Sequence, residues 1–296
     1  MASPSLIIEE LQKQPNWFAR KMRDLPVVPI AILSIILFAA IFAPLISPHD
    51  PEFMTLADRN AKPFWYDNST GKFPLGADAL GRDILSRIIY GTRISLLVSF
   101  VAIVTGVVIG GTLGMIAGYL GSHIDEFIMR LCDISLAIPY ILIALVAVII
   151  FGQSIPVLLA ILAFSTWSAF ARQIRGETLV LKELDYVALA KVAGASQFRI
   201  LVRHIFPGVV NTIIVIATLR VGAVIMFEAI LSYLGAGIPP PTPSWGSMVS
   251  DGRDYLPTAW WIAFFPGLAI FLTVTALNFL GDWLRDKLDP RLRQSV

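Results

Sequence analysis

Charge is scarce in this chain. Asp, Glu, Lys and Arg make up only 15% of its 296 residues, against roughly 25% in typical globular proteins. A soluble fold of this size could not cover its surface with so few charges. Disorder is excluded as well, because the polar excess it requires is missing. A single cysteine, Cys132, rules out an internal disulfide framework. The three histidines, His49, His123 and His204, lie far apart, so metal-ligand spacing is absent and no metal site is expected. A formal net charge of +2 is too small to suggest a nucleic acid as partner. No G-x-x-x-x-G-K-S/T phosphate loop, H-E-x-x-H zinc helix or G-x-S-x-G nucleophile elbow occurs. The chain therefore has no recognised machinery for hydrolysing ATP and no catalytic residues. Ser165 and Ser168 are the nearest candidates for an intramembrane nucleophile, and helix contact through small polar residues accounts for both.

What the chain has in abundance is apolar sequence. Hydrophobic residues reach 56% and mean hydropathy is +0.74. A membrane-crossing helix needs about 20 mostly apolar residues. Residues 25–49, 94–124, 134–171 and 255–281 contain no Asp, Glu, Lys or Arg. The third stretch is too long for one helix, and Phe151-Gly-Gln-Ser-Ile-Pro156 divides it with turn formers. A further apolar region, 208–235, holds two isolated charges, Arg220 and Glu228. The pattern predicts an all-α polytopic membrane protein with six spans, near 27–47, 94–119, 131–151, 155–172, 208–235 and 259–281. The first run exceeds the usual signal-peptide core of about 7–15 residues and follows a charged tail, so it reads as a retained span. No tandem repeat or low-complexity segment stands out.

Positive residues give the orientation. Lys13, Arg20, Lys21 and Arg23 precede the first span; Arg285, Lys287, Arg291 and Arg293 follow the last. Arg172, Arg175, Lys182, Lys191, Arg199 and Arg203 lie between the fourth and fifth. Six spans put all three groups on one side, the cytoplasm, with both termini there. The long 48–93 loop has six basic and six acidic residues and gives no net preference. The chain divides into an N-terminal amphipathic tail, 1–26, with Trp17 and Phe18 suited to a membrane surface, a membrane domain, 27–290, and a short tail, 291–296. The outer loop 48–93 and the segment 173–207 belong to the membrane domain.

Within that last segment, Asp185-Tyr-Val-Ala-Leu-Ala-Lys-Val-Ala-Gly194-Ala-Ser196 reads as a short helix outside the membrane. Asp185 is a candidate N-cap. Gly194 suits the left-handed position that ends a helix. Ser196 can cap the helix running toward Pro207. Ala188, Ala190 and Ala193 would let another surface approach closely.

These residues resemble the coupling loop of binding-protein-dependent ABC importer permeases. That motif runs Glu-Ala-Ala, three residues, Gly, nine residues, Ile, one residue, Leu-Pro. Here Ala188, Leu189 and Ala190 take its first positions, Gly194 its glycine, and His204, Phe206 and Pro207 its end. Ala190, Gly194 and Pro207 are identical, whereas Ala188 replaces the acid and removes any salt bridge from that position. Leu75-Gly-Ala-Asp78-Ala-Leu-Gly81-Arg82-Asp83-Ile-Leu-Ser86-Arg87 resembles a signature of the second permease subunit of dipeptide, oligopeptide and nickel importers, with Ala77 for the usual Thr. Ile128-Met-Arg130-x-x-Asp133, Leu231-Ser-Tyr-Leu-Gly235, Pro241-Thr-Pro-Ser-Trp245-Gly246 and Leu288-Asp-Pro290 fit the same branch.

The resemblance implies a type I permease fold in a bacterial or archaeal cytoplasmic membrane. It implies a sister permease, two ATP-binding cassette subunits that carry ATP and Mg, an extracytoplasmic solute-binding protein, and surrounding lipid as partners. No cofactor would be bound by this chain. The segment with Asp185, Tyr186, Ala188, Leu189, Ala190, Gly194, Ala195, Ser196, His204 and Pro207 would couple to an ATPase. Asp78, Gly81, Arg82 and Asp83 would form a gate, a docking surface or a network tying down the outer loop. Arg130 and Asp133, three apart, would pair. Arg220 and Glu228 would line the path or bond neighbouring helices, since each central charge costs roughly 2.5–3.5 kcal/mol unless it faces protein or water. The solute would be a di- or oligopeptide, with nickel or another small solute as the alternative. A self-contained ion-coupled transporter is the remaining reading, and it has no need of a capped cytoplasmic helix.

Overall fold

Residues 25–67 and 69–288 are described by the structure, a computed structural model. The amphipathic segment 5–23, the Asp289-Pro290 end of the branch signature and the tail 291–296 lie outside the described residues. The described chain is helical, with one isolated bridge, Ala77 to Asp83, as its only extended pairing.

Among the described residues, five helices are long and apolar enough to cross a membrane. They are α1 (Val27–Ile46), α2 (Ile84–Leu120), α5 (Ile155–Leu181), α7 (Gln197–Tyr233) and α9 (Trp261–Leu288). Between α2 and α5 stand α3 (Ser122–Ala137) and α4 (Tyr140–Phe151), which pass the same test only as a pair bent by 81°. Two short helices complete the fold, α6 (Asp185–Val192) and α8 (Trp245–Gly252). The segment expected as one span near 131–151 thus forms two helices that meet at a sharp bend. Pro139 is the reason. It disfavours helical backbone at the residue before it, and Ile138 is extended at φ −96°, ψ 126°.

Several helices outrun their expected bounds. α2 starts at Ile84 rather than 94, α5 continues to Leu181 rather than 172, and α9 continues to Leu288 rather than 281. Hydropathy marks the part of a helix that lies in lipid; charged turns beyond it stay helical in water or protein. α7 starts at Gln197 and runs on through Pro207. A widened π turn at Leu201–Ile205 ends two residues before that proline, where such a turn accommodates the missing N–H.

The α2–α5 contact is unusually close, and its cause is local. Gly106, Gly110, Gly114 and Gly118 recur every four residues along one face of α2. A Cβ built on them would lie 2.3 Å from Thr166 Oγ1, 2.1 Å from the Trp167 carbonyl oxygen, 2.4 Å from the Ala171 carbonyl oxygen and 2.7 Å from Thr178 Cβ. Small residues spaced this way let backbones touch in a membrane, where lipid is as apolar as leucine and packing must supply the attraction.

The bundle has two distinct ends. At the loop end, Ile84, Met248, Trp261 and Ile262 form a buried cluster with Tyr66 and Leu75. The Trp260 indole donates to the Tyr66 hydroxyl at 2.9 Å, and Trp65 meets the Phe265 ring edge-on at 5.9 Å. The long loop is therefore fastened onto the start of α9. At the other end, Ile174, Val187, Ile200, Ile205 and Val209 form a second cluster, with Met115 and Tyr119 packed on it.

Candidate functional site

The short helix α6 lies across this second end, between the close of α5 and the opening of α7. Val187 is its anchor, fully buried in the cluster. Burying one such side chain from water is worth about 1.5–3 kcal/mol. Tyr186 adds a polar tie. Its hydroxyl donates to the His204 carbonyl oxygen at 3.3 Å, and its ring stacks on the His204 ring at 6.4 Å. Lys191 lies over the Tyr119 ring at 5.5 Å. Nearby, Lys182 Nζ donates to the Gly118 carbonyl oxygen at 3.0 Å. The Arg175 guanidinium grips Asp125 with two bonds, at 2.5 and 2.6 Å. These contacts tie α6 and the ends of α5 and α7 to α2 and α3.

The ends of α6 follow its sequence, with one change. Leu184, not Asp185, is the N-cap, and Asp185 is the first helical residue with no capping bond from its side chain. The Leu184 carbonyl oxygen accepts from Val187 and Ala188, so the cap falls one residue earlier than residue type suggests. Asp185 still places a negative charge in the first turn, where the helix dipole favours it. At the far end Gly194 has φ +75°. Its N–H donates to the Lys191 carbonyl oxygen, and the Ala195 N–H to that of Ala190, both at 3.0 Å. That pair of bonds is the Schellman closure. Ser196 caps the following helix by accepting from the Arg199 N–H at 3.3 Å.

The outward side of this platform is apolar and open. Leu189 is 68% exposed, Val192 87% and Phe198 75%. Ala188 is exposed beside them, and Pro207 is exposed on the helix that follows. A short helix is thus held from below, with an apolar face and a small side chain left exposed.

At the loop end, Asp78, Arg82 and Asp83 are each at most 5% exposed. Asp78 Oδ1 accepts from the Leu80 and Arg82 N–H groups at 2.9 Å, and Oδ2 from Arg82 Nε at 2.6 Å. Arg87 Nε stands 3.6 Å from the same oxygen, and both guanidinium groups reach Asp251 on α8, at 3.5 and 3.8 Å. Desolvation pushes the Asp251 carboxyl above its ordinary range, although half its side chain stays open; Arg87 and then Arg82 pull it back. Asp83 caps α2 by accepting from the Ser86 N–H at 3.0 Å. Gly81, at φ +74°, lies where a Cβ would meet the Thr55 carbonyl oxygen at 1.9 Å. The arrangement stitches loop, α2 and α8 together.

Other pairings differ from the sequence reading. Arg130 bonds Glu126 and Asp133 bonds Arg172, each at 2.5 Å, so Arg130 and Asp133 do not meet. One helical turn separates Arg130 from Glu126, and Arg172 reaches Asp133 from α5. Glu228 is 1% exposed and accepts from the Ser232 hydroxyl at 2.7 Å. Arg220 is exposed on the same helix and has no ion pair or hydrogen bond among the described residues. The structure does not bring these two charges together.

Comparison with known proteins agrees across most of the chain. Residues 110–294 match the family described as "Binding-protein-dependent transport system inner membrane component". Residues 23–63 match the "N-terminal TM domain of oligopeptide transport permease C". The chain is 43% identical over 279 residues to the glutathione transport system permease protein GsiD of Pectobacterium atrosepticum, covering 94% of this chain and 91% of that protein. It is 38% identical over 267 residues to the di/tripeptide transport system permease protein DppC of Pseudomonas aeruginosa, covering 90% and 88%. A chain from inward-facing structures of the MetNI methionine ABC transporter shares the fold, with a TM-score of 0.56, 17% identity, and coverage of 70% of this chain and 98% of that one.

Proposed function

The chain belongs to the family of binding-protein-dependent transport system inner membrane components, and from that premise we propose how it works. It is a membrane permease subunit of an ATP-driven importer, and its solutes are di- or oligopeptides. Similarity to glutathione and di/tripeptide permeases supports short peptides over nickel. It carries no catalysis of its own; ATP and Mg bind to two partner ATPase subunits. A homologous sister permease completes the pathway, and a solute-binding protein delivers the peptide on the loop side. Basic residues at the α6 end support placing that end in the cytoplasm, with both termini.

The observation that carries this reading is the α6 platform. Leu189, Val192 and Phe198 offer an apolar face to a partner, while Val187 and Tyr186 hold the helix against α7. A push on α6 by closing ATPases therefore reaches α7 through His204 and the buried cluster. α7 carries Arg220, whose exposed guanidinium meets the sister subunit or the solute. Glu228 is turned into the chain's own interior and holds Ser232 instead. The Asp78–Arg82–Arg87 network serves as a brace for the outer loop.

The test is co-purification. The chain is extracted gently from its native membrane and its companions are identified by mass spectrometry. Recovery of a P-loop ATPase and a second six-helix permease is expected, with peptide uptake on reconstitution alongside the binding protein. A stable homo-oligomer without an ATPase would overturn the reading.

A further inference from the structure

A cavity of about 660 Å³ opens at the loop end, opposite the α6 platform and beside the charge network, whose Asp83 carboxylate lies 3.5 Å from the lining residue His49. Its walls are the last turn of α1 at Pro44, the loop residues Asp50 and Glu52, and Tyr90, Arg93 and Leu97 of α2. The volume lies within the range of about 300–1,000 Å³ typical of small-molecule sites.

Its charges are of both signs and do not close on each other. Arg93 is exposed and has no ion pair or hydrogen bond among the described residues. Asp50 and Glu52 have no ion-pair partner among them either; Asp50 Oδ1 accepts only the Glu52 N–H, at 2.8 Å. Arg93, Asp50 and Glu52 thus face one space without a direct ion pair among the described residues, Glu52 also interacting at longer range with Arg87 of the network. That suits a zwitterion.

Position selects the kind of zwitterion. Leu97 heads a stripe on α2 that continues through Phe100, Val104 and Val108, which are 56%, 68%, 42% and 60% exposed. Their spacing places them on one helix face. The polar end of the cavity sits level with the end of α1, where a bilayer places its headgroups, and the stripe runs from it into the hydrocarbon. We propose that this cavity binds one phospholipid with an amine-bearing zwitterionic headgroup, from the leaflet on the loop side. Its phosphate sits on Arg93, which can offer two parallel donors, with the Tyr90 hydroxyl beside it. Its ammonium sits between Asp50 and Glu52, and an acyl chain follows Leu97 to Val108. This does not rest on the transport reading, since it concerns lipid held by the chain whatever it moves.

The complex is purified through this chain, stripped of lipid, and re-exposed separately to phosphatidylethanolamine, phosphatidylcholine and phosphatidylglycerol. Bound lipid is counted by native mass spectrometry. The unaltered chain should retain phosphatidylethanolamine in preference to the other two. Arg93→Gln should lower retention on the order of tenfold, and Arg93→Lys should restore part of it. The exposed pair Asp50→Asn with Glu52→Gln, which leaves the helices untouched, should abolish the preference over phosphatidylglycerol. Equal retention by Arg93→Gln, no preference among the three lipids, or displacement of the lipid by alanyl-alanine would each overturn the proposal; the last would assign the cavity to a peptide instead.

Discussion

Asp78 shows how much one buried carboxylate can hold. It faces two guanidinium groups, each at most 5% exposed, and two backbone donors. Removing it leaves Arg82 and Arg87 with only the half-exposed Asp251, at 3.5 and 3.8 Å, to compensate them, and breaking a buried pair in this way costs up to about 3–5 kcal/mol. Asp78→Ala should therefore unfold well below the parent in a thermal scan in detergent. Lys72, paired with Asp58 on the loop surface with 44% of its side chain exposed, is the contrast; Lys72→Ala should change stability by less than about 1 kcal/mol. Gly194 is needed for a different reason. A Cβ there would meet nothing within 4 Å, so space is free and only its φ of +75° is restrictive. Left-handed backbone costs roughly 1–2 kcal/mol for an ordinary residue and more for a β-branched one. Gly194→Val should insert normally yet lose the coupling of ATPase activity to uptake, while Gly194→Asn, which tolerates this conformation, should keep it. Normal coupled uptake by the valine variant would contradict the role given to α6.

Among the helices, what is legible in the sequence is whatever the local chain decides. The 20 residues of α1 match their apolar run almost end for end, because little but lipid and its neighbours in the bundle acts on that stretch. The end of α6 at Gly194 and the cap at Ser196 also follow from residue type alone. The start of α6 does not, since whether Leu184 or Asp185 caps depends on how Val187 reaches the buried cluster. The bend at Ile138 has a visible signal, Pro139, which a hydropathy window averages away. The glycine stripe has one too: four glycines at a spacing of four mark a face of α2 that another helix approaches closely. The partners of Asp125 and Asp133 are not legible, because each depends on how far helices lie apart in space. The stripe makes its own prediction. Gly110→Val would force a Cβ to within 2.1 Å of the Trp167 carbonyl oxygen, so α5 must move away, at a cost of about 3 kcal/mol or more. Gly111→Ala, one residue on, meets nothing within 4 Å and should be neutral or gain about 0.5–1 kcal/mol from helix propensity. Cross-linking yield between cysteines placed on α2 and α5 reports the first effect, and thermal stability the second.

For the molecule as a whole, the two ends have opposite designs. The loop end braces itself with a largely buried charge network and with aromatics packed on α9, and it opens beside α1 and α2 in the cavity lined by Asp50, Glu52 and Arg93. The α6 end is braced from within but left apolar on the outside. Leu189 and Val192 stand open there, at 68% and 87%, and an exposed apolar patch of this kind is what a partner surface would cover. These side chains lie outside the buried cluster that holds α6, and their replacement should leave the fold alone. Leu189→Asp with Val192→Asp should keep the thermal stability of the parent within about 0.5 kcal/mol, the usual range for surface changes. It should also insert in the membrane at the parent level and retain the sister permease. What it should lose is the ATPase, because burying this face against a partner would desolvate two carboxylates. Co-purification from membranes measures both results in one experiment. Loss of the ATPase alone locates the motor contact on α6. Loss of both partners would mean that α6 supports assembly rather than drive. Retention of both would place the motor contact elsewhere on this end and leave the exposed face of α6 without a partner.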